Sequence, residues 1–99
     1  MTISSITYWK GGDHEEVCAI VRQARIVVQR YGAERHELSI VNSGPDSGQW
    51  QIETTYRDWE AFGKAMQAFA HDSELHGLLA EMAAASELVS HRIVASIDL

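Results

Sequence analysis

The chain has few of the residues on which cross-linking or sharp chain reversal depends. It contains one cysteine and one proline among 99 residues. A single cysteine excludes a disulfide framework within the chain. Because Cys18 falls inside an apolar helical pattern, we expect a buried small side chain there rather than a nucleophile. No run reaches the ~18 apolar residues of a membrane span, and no secretory signal opens the chain, so we expect a cytoplasmic protein.

Positive charge is also scarce. The chain has 8 Lys and Arg against 14 Asp and Glu, which gives a formal net charge of −6. Proteins that bind DNA, RNA or an anionic membrane surface need clustered cations, and here the cations are scattered along the chain. We therefore expect neither a nucleic-acid partner nor a membrane partner.

Recognisable catalytic and metal-binding motifs are missing. The nucleophile-elbow pattern G-x-S-x-G does not occur. His71 and His76 are five residues apart instead of the i, i+4 spacing of a helical zinc pair. The glycine-containing segment Asn42–Gly48 lacks a Walker lysine and a following helix, which disfavours a phosphate site. We expect no metal and no cofactor.

The sequence does have the composition of an ordinary globular protein and a clear periodicity of apolar residues. With 45% hydrophobic and 22% charged residues, the chain is typical of one globular domain spanning residues 1–99. Weak alternation predicts a first strand over Thr2–Lys10. Asp13 resembles an N-cap and Gly32 a helix stop, so a helix is predicted over Asp13–Tyr31.

The second half repeats the change from strand to helix. Strands are predicted over Arg35–Val41 and Trp50–Tyr56, joined by a loop of turn-forming residues. Asp58 is placed as the N-cap of a helix over Trp59–Phe69. The helical pattern breaks near Asp72 and then resumes, which indicates a kinked or broken helix. Strand alternation returns over Leu88–Leu99.

This order predicts an α+β fold, the ferredoxin-like βαββαβ sandwich, with a four-stranded antiparallel sheet and two helices on one face. The sheet face under the helices is expected to carry a set of mostly apolar residues: Ile6, Tyr8, Leu38, Ile40, Trp50, Ile52, Ile93 and Ile97. The opposite face is mixed in character: Ile3, Ser5, Thr7, Trp9, Ser39, Val41, Gln51, Glu53, Thr55, Arg92, Val94 and Ser96. A mixed face usually packs against something, and a second copy would also protect the sheet edges. We therefore expect a homodimer.

Four segments make the chain resemble the dimeric α/β-barrel superfamily, in which two ferredoxin-like protomers pack sheet to sheet, and especially a group of small bacterial proteins of unknown function. The segments that carry the resemblance are Tyr8–Asp13, Thr55–Trp59, Gly63–Ala68 and Glu87–Ser90. The superfamily includes cofactor-free monooxygenases, haem-degrading enzymes, chlorite-dismutase-like haem proteins and stress-responsive barrel proteins. The resemblance thus implies the fold and leaves the chemistry open.

The mixed face holds the candidate ligand-binding residues, which are Trp9, Gln51, Glu53 and Arg92. Glu53 and Arg92 could form a structural ion pair, or Arg92 could clamp an anion while Glu53 accepts a hydrogen bond or a proton. Trp9 could be barrel core or a stacking surface. Of the histidines, His36 is expected to be exposed and His91 to point into the core under the helices.

Two functions agree with these observations. The first is a homodimeric barrel that binds a small molecule in the cleft between the sheet faces without catalysis. The second, implied by the resemblance, is a cofactor-independent monooxygenase or isomerase acting on a small aromatic or polyketide-like compound. A partly polar cavity of at least ~300 Å³ beside Trp9, Glu53 and Arg92 would favour the enzyme.

Overall fold

The protein folds as one antiparallel sheet covered on one face by helices, in a computed structural model that describes residues 1–99. The elements in chain order are β1 (Ile3–Lys10), α1 (His14–Arg30), β2 (Arg35–Ile40), β3 (Trp50–Tyr56), α2 (Trp59–Phe69), α3 (Ser73–Ala85) and β4 (Glu87–Ala95). The sheet order is β2-β3-β1-β4 with all neighbours antiparallel. The predicted ferredoxin-like sandwich is therefore confirmed, with the second helical segment divided into two helices.

An aspartate begins each of the three helices. The side chains of Asp13, Asp58 and Asp72 accept hydrogen bonds from the amide three residues later, at 3.1, 2.8 and 2.8 Å. Each bond satisfies an amide that has no partner within the helix. Because Asp72 caps a new helix, the predicted break is a true end of α2.

None of the helices is long and apolar enough to cross a membrane.

The helix-covered face of β1 is the opposite of the one predicted. Trp9 lies directly opposite Trp50, and Ile3 lies opposite Tyr56. Residues directly opposite each other share a face, and all four are buried in the core. The assignment of Ile6 and Tyr8 to this face was wrong. Alternation alone is ambiguous here because each face of β1 carries two large apolar side chains and two polar ones.

Strand β4 forms an uncovered edge of the sheet, and all nine of its residues are exposed. Tyr8 pairs with Ser90 while Trp9 pairs with Leu88, so Val89 is the extra residue of a β-bulge. The bulge interrupts the predicted alternation. The strand also ends at Ala95 rather than Leu99, and Ile97 is 81% exposed rather than covered by helices.

Candidate functional site

An apolar cavity of about 210 Å³ lies between the sheet and the three helices. Its sheet side is formed by Ser5, Thr7, Trp9, His36, Ile52, Thr54 and Tyr56. Its helix side is formed by Ile20, Val21, Ala24, Val28, Met66, Phe69, Leu75, Leu78, Leu79 and Met82. No Lys, Arg, Asp or Glu lines it. Met66 and Leu79 are also 37% and 52% exposed, which places the mouth of the cavity between α2 and α3.

Small side chains at facing positions leave this space empty. Ser5 and Thr54 are directly opposite each other on neighbouring strands, and Thr7 follows on the same face. Ala24 lines the cavity from the middle of α1. Protein interiors are normally packed with few voids larger than a water molecule. A cavity of this size is therefore a specific property of these small residues, and periodicity in the sequence does not reveal it.

Most polar atoms beside the cavity form hydrogen bonds in which a serine or threonine hydroxyl of the sheet takes part. The Trp9 indole N–H donates to Thr7 Oγ1 at 2.8 Å. Ser5 Oγ lies 3.1 Å from Nε2 of His91. That histidine lies on the helix side of the sheet as predicted, since it pairs with Thr7, but it is exposed rather than buried because no helix covers β4. These bonds leave the cavity with a short polar strip on its sheet side and apolar walls elsewhere.

His36 is the polar residue whose position differs most from its prediction. It was expected to be exposed, yet it is only 7% exposed and lines the cavity. Its Nδ1 lies 2.8 Å from Thr54 Oγ1, while its Nε2 is buried and has no hydrogen-bond partner among the protein's own groups. Burial, aided by the charge of Arg25, lowers the pKa of His36 from 6.5 to about 4. The imidazole is therefore neutral at pH 7.

A hydrogen bond joins Tyr31, directly after α1, to Asp72, directly before α3, at the corner beside the cavity mouth. Tyr31 donates through its hydroxyl to Asp72 Oδ2 at 2.6 Å, and its ring meets Phe69 edge to face at 5.9 Å. This hydrogen bond lowers the pKa of the Asp72 carboxyl and raises that of the Tyr31 hydroxyl. Phe69 lines the cavity, so the bond helps to hold one wall in place.

The open face of the sheet, opposite the helices, carries three of the four predicted ligand-binding residues. Ile6 lies opposite Glu53 on one side and Arg92 on the other, so the three form one row. Strands are ~4.8 Å apart, which puts Glu53 and Arg92 two spacings apart. No ion pair joins them within the protomer. Arg92 instead lies over the ring of Tyr8, 5.3 Å from its centroid.

The structure thus separates Trp9 from the other three candidates. Gln51 follows the same alternation as Glu53 and belongs to the open face. Trp9 lies on the other side of the sheet and lines the cavity. Its predicted place beside Glu53 and Arg92 was wrong, because the whole of β1 has the other orientation. A ligand-binding role for the four residues stays a prediction, and the protomer contains no cavity shared by them.

Comparisons with known proteins locate the fold among solved structures. No protein-family model matches the sequence, and no match is found among curated proteins. The structure of SnoaB, described as a cofactor-independent oxygenase from Streptomyces nogalater, is 15% identical with a TM-score of 0.74, covering 99% of this chain and 95% of that one. A NIPSNAP family protein from Agrobacterium tumefaciens is 15% identical with a TM-score of 0.69 over the same shares.

A third similar structure is Rv0793 from Mycobacterium tuberculosis, 12% identical with a TM-score of 0.67, covering 100% of this chain and 98% of that one. The likeness extends over nearly the full length of all three chains. At such low identity it establishes the architecture and not the activity. The chain has the same ferredoxin-like fold as these three proteins, which is the fold that its sequence resemblance implied.

Proposed function

We propose that this protein is a homodimeric α/β-barrel protein that binds a small, uncharged, largely apolar molecule between its sheet and its helices. The observation that carries the proposal is the apolar cavity of about 210 Å³. Because no side chain of the protein fills this apolar space, its lining atoms lack part of their dispersion contacts. A ligand restores those contacts. The cleft predicted between sheet faces would be a separate space, formed only in the dimer.

The size of the cavity limits the ligand. In another protein an engineered apolar cavity of about 150 Å³ binds benzene. At about 210 Å³, the present cavity is suited to one substituted ring or a fused pair of rings. A multi-ring polyketide would need the helices to move apart. Aromatic carboxylates are disfavoured as well, since an ion buried without a cation is strongly destabilised.

Filling the cavity tests this proposal. We expect Ala24→Leu to occupy the space and to weaken the binding of indole, measured by NMR titration, by at least about tenfold. Ala19 lies on the exposed face of the same helix, so Ala19→Leu is the matched control and should bind like wild type. Indole binding that is unchanged in Ala24→Leu would show that the ligand lies elsewhere.

The homodimer is supported by the chemistry of the open face and by the uncovered edge. Ile6, Tyr8 and Val94 share the open face with Glu53 and Arg92. In a two-fold symmetric interface, residue i of one protomer meets residue j of its partner, and j meets i. Glu53 and Arg92 have no ion-pair partner in the protomer. Their opposite charges could therefore pair twice across such an interface.

Charge reversal tests this pairing. We expect Glu53→Arg or Arg92→Glu alone to raise the dimer dissociation constant about tenfold or more, because like charges would then face each other. The double variant should recover most of the loss, since it restores opposite charges. Light scattering and sedimentation at micromolar concentration provide the measurement. A monomeric wild-type protein would contradict the homodimer, and a double variant as weak as the sum of the singles would contradict the pairing.

A cofactor-independent oxygenase or isomerase acting on a small aromatic compound is the second candidate. It is favoured by the likeness of fold to SnoaB. With a pKa of about 4, His36 is a weak general base at neutral pH. Hydrogen bonding is thus a better use of this side chain than proton abstraction, and we favour ligand binding. Oxygen uptake in the presence of a small hydroquinone, absent in Ala24→Leu, would reverse that preference.

A further inference from the structure

His36 presents an unusual combination of features for a core residue. It is 7% exposed, and it lines a cavity that is otherwise almost entirely apolar. Nδ1 is engaged by Thr54, whereas no group of the protein forms a hydrogen bond with Nε2. Native proteins leave few buried polar atoms unsatisfied, and those that remain call for an explanation. Loss of the histidine would not disturb an ion pair, because its only side-chain hydrogen bond is to a hydroxyl.

We propose that His36 Nε2 is the polar anchor of the cavity and selects an uncharged ligand that carries an N–H or O–H donor. This inference rests on the ligand-binding function proposed above and specifies the chemical class of the ligand. The cavity supplies apolar contacts on all other sides, so one donor on a ring compound suffices.

The direction of the hydrogen bond follows from the cost of leaving each group unpaired. A neutral imidazole has one N–H and one bare nitrogen. Buried N–H groups without a partner are rarer than acceptors that are not fully satisfied. The tautomer in which Nδ1–H donates to Thr54 Oγ1 is therefore favoured in the empty protein, and it leaves Nε2 as an acceptor. A ligand donor completes the arrangement.

The absence of charged groups from the cavity lining favours an uncharged ligand. The imidazole is neutral at pH 7, and no ionisable carboxylate or cation lines the cavity. The nearest cation in the hydrogen-bond network, Arg25, is turned to the backbone, where its Nε donates to the His36 carbonyl oxygen at 3.0 Å. An anionic ligand would thus have no counter-ion within the cavity.

Three fused-ring compounds of nearly equal shape test the anchor: indole has an N–H donor, benzofuran has an oxygen acceptor, and indene has neither. In wild-type protein we expect NMR titration to show indole binding about fivefold more tightly than indene, the ratio given by one ordinary hydrogen bond. Benzofuran should resemble indene. In His36→Phe, which keeps an aromatic ring, the preference for indole should disappear.

Ring nitrogen shifts of histidine-labelled wild type give a second measurement, which is valid even if His36→Phe fails to fold. We expect the Nε2 resonance of His36 to move with indole and not with indene. Equal affinity for all three compounds, or equal preference for indole and benzofuran, would overturn the anchor while leaving the binding site intact. If none of the three binds, the proposed ligand-binding function itself fails.

Discussion

Gly12→Ala is expected to lower the free energy of unfolding by about 3 kcal/mol or more. Gly12 has a φ of +103°, a conformation that is costly for any residue with a Cβ. An added Cβ would also lie 2.7 Å from the carbonyl oxygen of Ala85 and 3.2 Å from Val17 Cγ2. The first of these neighbours is backbone at the end of α3, which cannot rotate away.

The surrounding hydrogen bonds prevent the chain from relaxing at this point. The carbonyl oxygen of Gly11 accepts from Trp50 Nε1 at 3.0 Å and from Ser86 Oγ at 2.8 Å. The same hydroxyl approaches the Lys10 carbonyl oxygen at 3.0 Å. The end of β1 is therefore attached both to β3 and to the end of α3, so the clash is not easily relieved.

Gly11→Ala is the matched control for this prediction. Gly11 has a φ of +80°, but a Cβ added there would meet no other atom within 4 Å. We expect only the conformational cost there, about 1–2 kcal/mol. Urea unfolding of both variants measures the difference. A domain of this length is typically stable by about 5–15 kcal/mol. Equal losses in the two variants would show that the contact with Ala85 contributes nothing.

Lowering the pH from 7.5 to 4 is expected to remove about 3 kcal/mol of stability through His36 alone. Its pKa falls from 6.5 to about 4 on folding. Between those values the unfolded chain binds a proton that the folded protein does not. Stability therefore declines as the pH falls through this window and is unaffected by this histidine above it.

His36→Phe isolates this contribution, because the carboxyl groups that also titrate in acid are present in both proteins. We expect the difference in unfolding free energy between wild type and variant to change by about 3 kcal/mol across the window in favour of the variant at low pH. Urea titrations at half-unit pH steps measure it. Parallel pH profiles would mean that the His36 imidazole is accessible to protons in the folded state.

The order and approximate ends of the elements could be predicted because local chemistry determines them. The aspartate caps at Asp13 and Asp58 were expected at their observed positions, and the break between two helices was expected near Asp72. The face of β1 could not be predicted, since alternation gives two faces of similar character and only pairing with β3 distinguishes them. The bulge at Val89 likewise depends on how β4 meets β1.

The sequence predicts the candidate site less well than the fold. One usable signal was missed: His36 is two residues before Leu38, so strand alternation places it on the same, helix-covered face. The cavity itself has no comparable signal. It forms where small side chains of the sheet and of α1, such as Ser5, Thr54 and Ala24, line the same space, and only the packed structure brings them together. Four candidate ligand contacts therefore fell on two faces of the sheet rather than one.

The position of β1 in the sheet has a consequence for the order in which the protein can fold during synthesis. β1 is the first strand made, yet its neighbours are β3 and β4, the last two strands made. Its pairing with β4 joins Ile3 to Ala95. Contacts so distant in sequence slow folding and leave a nascent strand exposed meanwhile. The hairpin of β2 and β3 can form earlier, and β3 can then pair with β1 through Ile3 and Trp9, so the other edge of β1 stays unpaired until β4 has left the ribosome.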